Sequence, residues 1–262
     1  PGRPVVVSPQ TPDAFAVIER VAADRNSPLF VGGRDWHWSG TWRSFSVSGP
    51  WGTFESLASG LAGRHQVENA CTAVAASWLL SRPGTDGRGP SLRSERSEGP
   101  LPFTITEDHI RTGLARACWP GRFEIIAEHG PRIIVDGAHS PASARALAGA
   151  LREEGASPAV VVLGFLGDKD AGAIGAELAP VAERFVVTAP RGPRAAPAAA
   201  VAGRLAAVAV RAQTEPDVAS AVAVATEQAG PTGTVVVTGS LTTVAEAREL
   251  FGLGVPDPPV GD

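Results

Sequence analysis

The sequence predicts an α/β protein whose second half is a parallel, doubly wound sheet, and three observations predict it. After Gly121, apolar strand-length runs alternate with helix-length segments, the rhythm of strand–helix–strand crossovers. The runs Ile133–Val135, Val160–Leu163 and Val235–Val237 are continuously apolar, as strands covered on both faces require. The stretch Pro-Arg-Ile-Ile-Val-Asp-Gly-Ala-His-Ser-Pro at 131–141 runs from such a strand through an acid, a glycine turn and a histidine into a helix start. Ser140 fits its N-cap and Pro141 its first position.

Taken in order, Pro4–Ser8 reads as a buried strand, Asp13–Ala23 as a helix and Pro28–Gly32 as a second strand. From Trp36 to Leu61, short alternating pieces between Gly-Pro turns predict antiparallel β structure. Glu68–Leu80 is helical, with small residues on one face. Residues 81–100 are rich in Gly, Pro, Ser and Arg and read as a flexible solvent loop. Thr106 fits the N-cap of a helix reaching Cys118. Beyond a junction near Pro120-Gly121, strands are expected at Arg132–Val135, Ala159–Gly164, Arg184–Thr188, Ala207–Val210 and Thr234–Thr238. The helices between and after them are Ser140–Glu154, Ala171–Ala182, Ala196–Leu205, Pro216–Gln228 and Leu241–Phe251.

The 262 residues allow one large domain or two ordinary ones, and 44% hydrophobic content is enough for a core. A net charge of -4 gives no electrostatic case for nucleic acid, and no basic amphipathic run addresses a membrane surface. The longest apolar runs are interrupted, so no transmembrane span is expected, and no leader sequence is seen. Cys71 and Cys118 both read as small buried hydrophobes in helical segments, outside any metal-ligand pattern. The expectation is a cytoplasmic protein. With no methionine and an opening at Pro1, the chain reads as part of a longer protein. Its single lysine, Lys169, follows Asp168, so the Gly-Lys-Ser/Thr of a Walker A phosphate loop is absent from the sequence.

Three blocks carry a resemblance: His65-Gln66-Val67-Glu68-Asn69-Ala70, then Trp119-Pro120-Gly121-Arg122-Phe123-Glu124, then Asp136-Gly137-Ala138-His139-Ser140-Pro141. In this order they resemble the folylpolyglutamate synthase/dihydrofolate synthase family of the Mur-ligase superfamily. The resemblance implies that residues 1–120 are the end of a P-loop ATPase-type central domain and 121–262 a Rossmann-like C-terminal domain. It places the phosphate loop, the Mg²⁺ ligands and a carbamylated lysine upstream of Pro1, with no metal ligand in this chain. The implied activity is ATP-dependent addition of L-glutamate to a folate or dihydropteroate carboxylate through an acyl phosphate, by a monomer, with the present chain inactive alone.

For single residues, the resemblance implies that Asn69, Arg122 and Asp136 bind ATP. Asn69, at a helix start, offers an amide to the adenine edge. Arg122 has a permanently charged fork of donors suited to phosphate. Asp136, ending an apolar strand, can accept from ribose hydroxyls, or bond its own backbone in an Asx turn. His139 is implied at the glutamate and acyl-phosphate side, as a catalytic or substrate-binding residue. Lys169 is a weaker substrate candidate, and Ser240 reads either as a substrate contact or as a cap of the final helix. Ser140 departs from the family, which usually has Asn there; both are good N-caps. Two other readings stay open. A Mur-type UDP-MurNAc-peptide ligase usually has Asp-Tyr-Ala-His and lacks the Trp-Pro-Gly-Arg-Phe form. A non-catalytic nucleotide- or partner-binding module would fit the missing phosphate loop.

Overall fold

The computed structural model describes residues 2–81, 105–167 and 169–254. Apart from residue 81, the expected flexible loop lies outside them. The chain divides into two compact units, Pro1–Cys118 and Trp119–Asp262.

In the first unit, strand β1 (Val5–Val7), helix α1 (Pro12–Asp24) and strand β2 (Leu29–Val31) form a parallel crossover pair. Three short strands follow, β3 (His37–Thr41), β4 (Ser44–Gly49) and β5 (Gly52–Leu57), in an antiparallel meander. Helices α2 (Arg64–Ser81) and α3 (Glu107–Ala115) complete the unit. The meander buries Trp36, Phe45, Val47 and Leu57 in one cluster with Val67, Ala70, Cys71, Val74 and Ala75 of α2. Those α2 positions recur at three- and four-residue intervals, one face of a helix. Small residues there let the helix lie close to the bulky rings. Burial, with a smaller contribution from Glu68, pushes the Cys71 thiol up to about 12, so it stays protonated and inert at neutral pH. Cys118, by contrast, is exposed and lies beyond the end of α3. The expectation of a buried helical cysteine fails there because the helix stops at Ala115. Thr106 caps α3 as expected, accepting from the His109 amide.

The second unit is a six-stranded sheet. Its elements are β6 (Glu124–Ala127), β7 (Arg132–Val135), α4 (Pro141–Glu153), β8 (Ala159–Gly164), α5 (Ala171–Leu178), β9 (Ala182–Thr188), α6 (Ala198–Ala206), β10 (Ala212–Thr214), α7 (Val218–Ala229), β11 (Thr234–Thr238) and α8 (Leu241–Leu250). The strand order is β10-β9-β8-β11-β7-β6. All pairings are parallel except β6 with β7. A tight connection across Gly130 makes that one a hairpin edge, and β6 is a strand outside those expected from the sequence. Ile133, Val135, Val160, Val162, Val235 and Val237 point to one face, where they pack with Val218, Ala221, Val222 and Ala225 of α7 and Val244 and Ala247 of α8. Their alternates Ile134, Val161 and Val236 are fully buried too. They face the opposite side, the side left for the mutually packed helices α4, α5 and α6.

The strand expected at Ala207–Val210 is not formed. Ala207 caps the end of α6, Ala209 turns at φ +62°, and the Val210 amide returns to the Leu205 carbonyl. The strand forms later, at Ala212–Thr214, as a half-exposed edge. An edge of sequence Ala-Gln-Thr carries no apolar run to read. Helix α5 ends at Leu178, four residues early, because a 3-10 turn over Ala179–Val181 contains Pro180.

Candidate functional site

The carboxyl ends of β7, β8 and β11 lie side by side in the second unit, and the loops leaving them carry most of the candidate residues. In open α/β sheets ligands bind at this edge. Asp136 ends β7 as the first residue of the Asp-Gly-Ala-His loop. Its Oδ1 accepts from the Ala138 amide at 2.9 Å and its Oδ2 from the Phe123 amide at 2.8 Å. The first bond is an Asx turn, the local reading the sequence left open. The second clasps the Trp119–Glu124 loop to the end of β7, with a further bond from the Gly137 amide to the Gly121 carbonyl at 2.8 Å. Burial pushes the Asp136 carboxyl up, against the bonds from Phe123 and Ala138 and the charges of Arg122 and His139, which pull it down.

Arg122 stands exposed between buried Gly121 and Phe123. Both neighbours have positive φ, +74° at Gly121 and +44° at Phe123. The first suits glycine, and a Cβ there would also meet Val244 Cγ1 at 2.8 Å. The second is strained for a phenylalanine and is held by the bond to Asp136. This backbone turns Arg122 outward, its guanidinium 5.5 Å from the centre of the exposed Trp119 ring.

His139 is exposed, and its Nδ1 lies 2.8 Å from the Gly137 carbonyl. A carbonyl only accepts, so Nδ1 carries a proton in this contact, and Nε2 is the ring nitrogen left for a ligand. The His139 and Ser140 amides both donate to Ser143 Oγ, at 3.1 and 3.0 Å. Ser140 caps α4 by accepting from the Ser143 amide, so the helix start survives without asparagine. Ser143 was missed from the sequence; a serine three residues after an N-cap serine is its only signal, the reciprocal capping pair.

The Thr238 hydroxyl and the Gly239 amide both donate to the Ala138 carbonyl, tying β11 to the same loop. Ser240 caps α8, accepting from the Thr243 amide at 3.1 Å, and is buried, so its hydroxyl serves the helix start. Thr243 Oγ1 in turn donates to the Gly164 carbonyl at the end of β8. Lys169 follows β8 in a half-buried position, and its carbonyl accepts from Arg204. The structure therefore gathers Arg122, Asp136 and His139 tightly, with Ser240 and Lys169 on adjoining strand ends.

Asn69 belongs to the first unit. It lies in the second turn of α2, not at the helix start, because the helix begins at Arg64. It is exposed, and its Nδ2 donates to Oε1 of the buried Gln66 at 3.0 Å. Gln66 gave no separate signal in the sequence, since its role depends on the helix placing the two residues three apart. Among the described residues, no group of three or more His, Cys, Asp or Glu side chains is arranged to hold a metal ion, and no helix is long and apolar enough to cross a membrane.

Residues 121–241 match the Mur ligase, glutamate ligase domain. The second unit is thus a domain of the Mur ligase class, built on a sheet whose carboxyl edge carries the clasped loops. Dihydrofolate synthase/folylpolyglutamate synthase of Escherichia coli K12 is 31% identical over 250 residues, covering 95% of this chain and 52% of that protein. Mycobacterium tuberculosis folylpolyglutamate synthase, solved with ADP and AMPPCP, superposes with a TM-score of 0.81 at 27% identity, covering 97% of this chain and 56% of that one. The Yersinia pestis bifunctional enzyme, solved with AMPPNP and a manganese ion, gives 0.75 at 28% identity, covering 96% and 54%. Over most of its length the chain is thus similar to folylpolyglutamate synthases and dihydrofolate synthases, and residues 121–241 carry their Mur ligase, glutamate ligase domain. The chain spans about half the length of the curated relatives it matches.

Proposed function

We propose that the whole protein is an ATP-dependent amide ligase that adds L-glutamate to a folate or dihydropteroate carboxylate through an acyl phosphate. The observation that carries this reading is the clasp between Asp136 and Phe123, which fixes Arg122 beside the Asp-Gly-Ala-His loop at a ligand-binding sheet edge. In it, residues 1–120 are the end of the ATPase domain and 121–262 the glutamate ligase domain. Arg122 is the phosphate ligand, because its charge is permanent and its fork suits two oxygens. Asp136 keeps a lone pair on each oxygen beyond its two backbone bonds, enough to accept from ribose hydroxyls. The amide oxygen of the exposed Asn69 suits the donor on the adenine edge. His139 presents Nε2 to the glutamate amine or the acyl phosphate, and the Lys169 ammonium supplements charge at that edge. Ser240 is a lesser candidate, since its hydroxyl already caps α8.

ATP use brings a divalent ion, Mg²⁺ in this reading. Among the described residues no group of three or more His, Cys, Asp or Glu side chains is placed to hold it. The reading keeps the protein a cytoplasmic monomer acting on small molecules, with a net charge of -4 arguing against nucleic acid.

The test is steady-state kinetics on the full-length gene product, varying ATP and glutamate separately. Arg122→Ala should lower kcat/KM for ATP ten- to a hundred-fold, since a charge-assisted bond contributes about 1.5–3 kcal/mol. His139→Ala should weaken glutamate use more than ATP use. Residues 1–262 alone should show no turnover. A full-length product with no glutamate-dependent ADP release would leave the binding-module reading standing.

A further inference from the structure

Arg122 is held by more than the Asp136 clasp. The Gly121 amide donates to Glu124 Oε2 at 2.7 Å. The other carboxylate oxygen of Glu124 is paired with Arg248 on α8, whose side chain is only 11% exposed. The Arg248 guanidinium also reaches the Gly254 carbonyl, at 3.4 Å. Arg248 forms part of the wall of a small apolar cavity, with Pro120, Leu241, Val244 and Leu253. A buried guanidinium is tolerated only when paired, so Arg248 fixes where the Glu124 carboxylate must lie. That carboxylate in turn takes the Gly121 amide, in the turn that the Arg122 amide also closes onto the Trp119 carbonyl at 3.1 Å. Strained backbone persists where its surroundings over-determine it. Here the strained residue is Phe123, held by Asp136, and Glu124 adds a second tie on the other side of Arg122, at Gly121, where glycine takes its positive φ freely.

We propose that Glu124 is a positioning residue for Arg122, and that the buried Arg248 sets Glu124. The proposal rests on the reading of Arg122 as a phosphate ligand. It adds a chain of contacts running from α8 to the nucleotide: Arg248, Glu124, the Gly121 amide, then the outward-turned Arg122. Glu124 and Arg248 act in it through the backbone turn, with their carboxylate and guanidinium already engaged by Gly121, by each other and by Gly254.

The experiment uses the full-length gene product with Glu124→Met/Arg248→Met, which removes both charges together and so leaves no buried charge unpaired. Glu124→Asp, one methylene too short to reach both partners, is the second variant should the first fail to fold. Arg122→Ala is run in parallel. Two readouts are taken: hydrogen exchange of the Gly121 and Phe123 amides, and KM for ATP against KM for glutamate. The expected result is at least ten-fold faster exchange at Gly121, a KM for ATP raised about ten-fold, and an unchanged KM for glutamate. Unchanged exchange at Gly121 overturns the proposal. So does faster exchange with an unchanged KM for ATP while Arg122→Ala raises it. If Arg122→Ala leaves ATP kinetics unchanged, the phosphate-ligand reading is what fails, and exchange at Gly121 alone decides whether Glu124 sets the turn.

Discussion

Two parallel pairings in this molecule are built from nearly the same residues and end in opposite surroundings. In the second unit, Val235–Val237 of β11 run between β7 and β8, and every residue of β8 and β11 is buried. In the first unit, Val5–Val7 of β1 pair with Leu29–Val31 of β2, and only Val7 and Val31 are buried. Three valines in a row thus read alike in sequence. The difference is in what flanks them. β11 has a strand on each side and helices on both faces, whereas β1 has one partner strand among the described residues. Parallel strands usually occur fully covered, so the second unit has the ordinary form, and the first carries its parallel pair at a partly open surface.

Core substitutions should break the equivalence most strongly. Ile134→Ala in β7 should destabilise the second unit by about 2–5 kcal/mol, through lost burial and the cavity left behind. Val5→Ala in half-exposed β1 should cost under about 1 kcal/mol. Denaturant melts of the two variants check the contrast, and equal losses would mean that β1 is as enclosed as β7.

Asp136→Asn sharpens the comparison at the site. The carboxylate accepts two backbone amides, while an asparagine side chain has one acceptor and turns an NH₂ toward the other. The expected loss is about 1–3 kcal/mol, visible in a thermal melt, in addition to any loss of ATP use. Its pH dependence has a definite sign. Burial raises the Asp136 carboxyl, so the folded chain holds that proton more tightly than the unfolded chain does. The stability it contributes is complete below the ordinary value of 3.8 and is lost as pH rises through the raised value. The melting margin of wild type over Asp136→Asn should therefore narrow across that window. A widening margin would show that the amides of Phe123 and Ala138 outweigh burial.

The smallest effect is expected at the start of α4. Ser140→Asn restores the usual family residue, keeps an N-cap acceptor, and should shift stability by no more than about 0.5 kcal/mol. A larger loss in the melt would show that the Ser140–Ser143 hydroxyl pair, 2.9 Å apart, does more than cap the helix.

Much of the site's local structure was legible because it is local. Ser140 and Pro141 begin a helix by their own chemistry, and Asp136 at the end of an apolar run is visible as a strand terminus. The edge strand Ala212–Thr214 was not legible, because its pairing with β9 comes from a neighbour twenty-seven residues away in register, Ala212 beside Phe185, and not from its own composition. The start of α2 at Arg64 was missed for a related reason. Residues Arg64-His65-Gln66 carry no apolar rhythm, yet Gln66 and Val67 are buried against the unit's core.

The sequence by itself determined the alternation of strands and helices from β7 onward apart from the place of β10, the caps at Ser140 and Thr106, and the motif residues Arg122, Asp136 and His139. Each follows from hydrophobic period, backbone preference or side-chain chemistry within a few positions. Only the tertiary structure decided that β6 runs antiparallel, that β11 inserts between β7 and β8, and that Asp136 bonds Phe123 thirteen residues earlier. It also decided that Glu124 meets Arg248 across 124 positions. The physical reason is that a carboxylate's need for donors is written in its residue type, whereas the identity of those donors depends on which distant backbone and side-chain groups packing delivers to it.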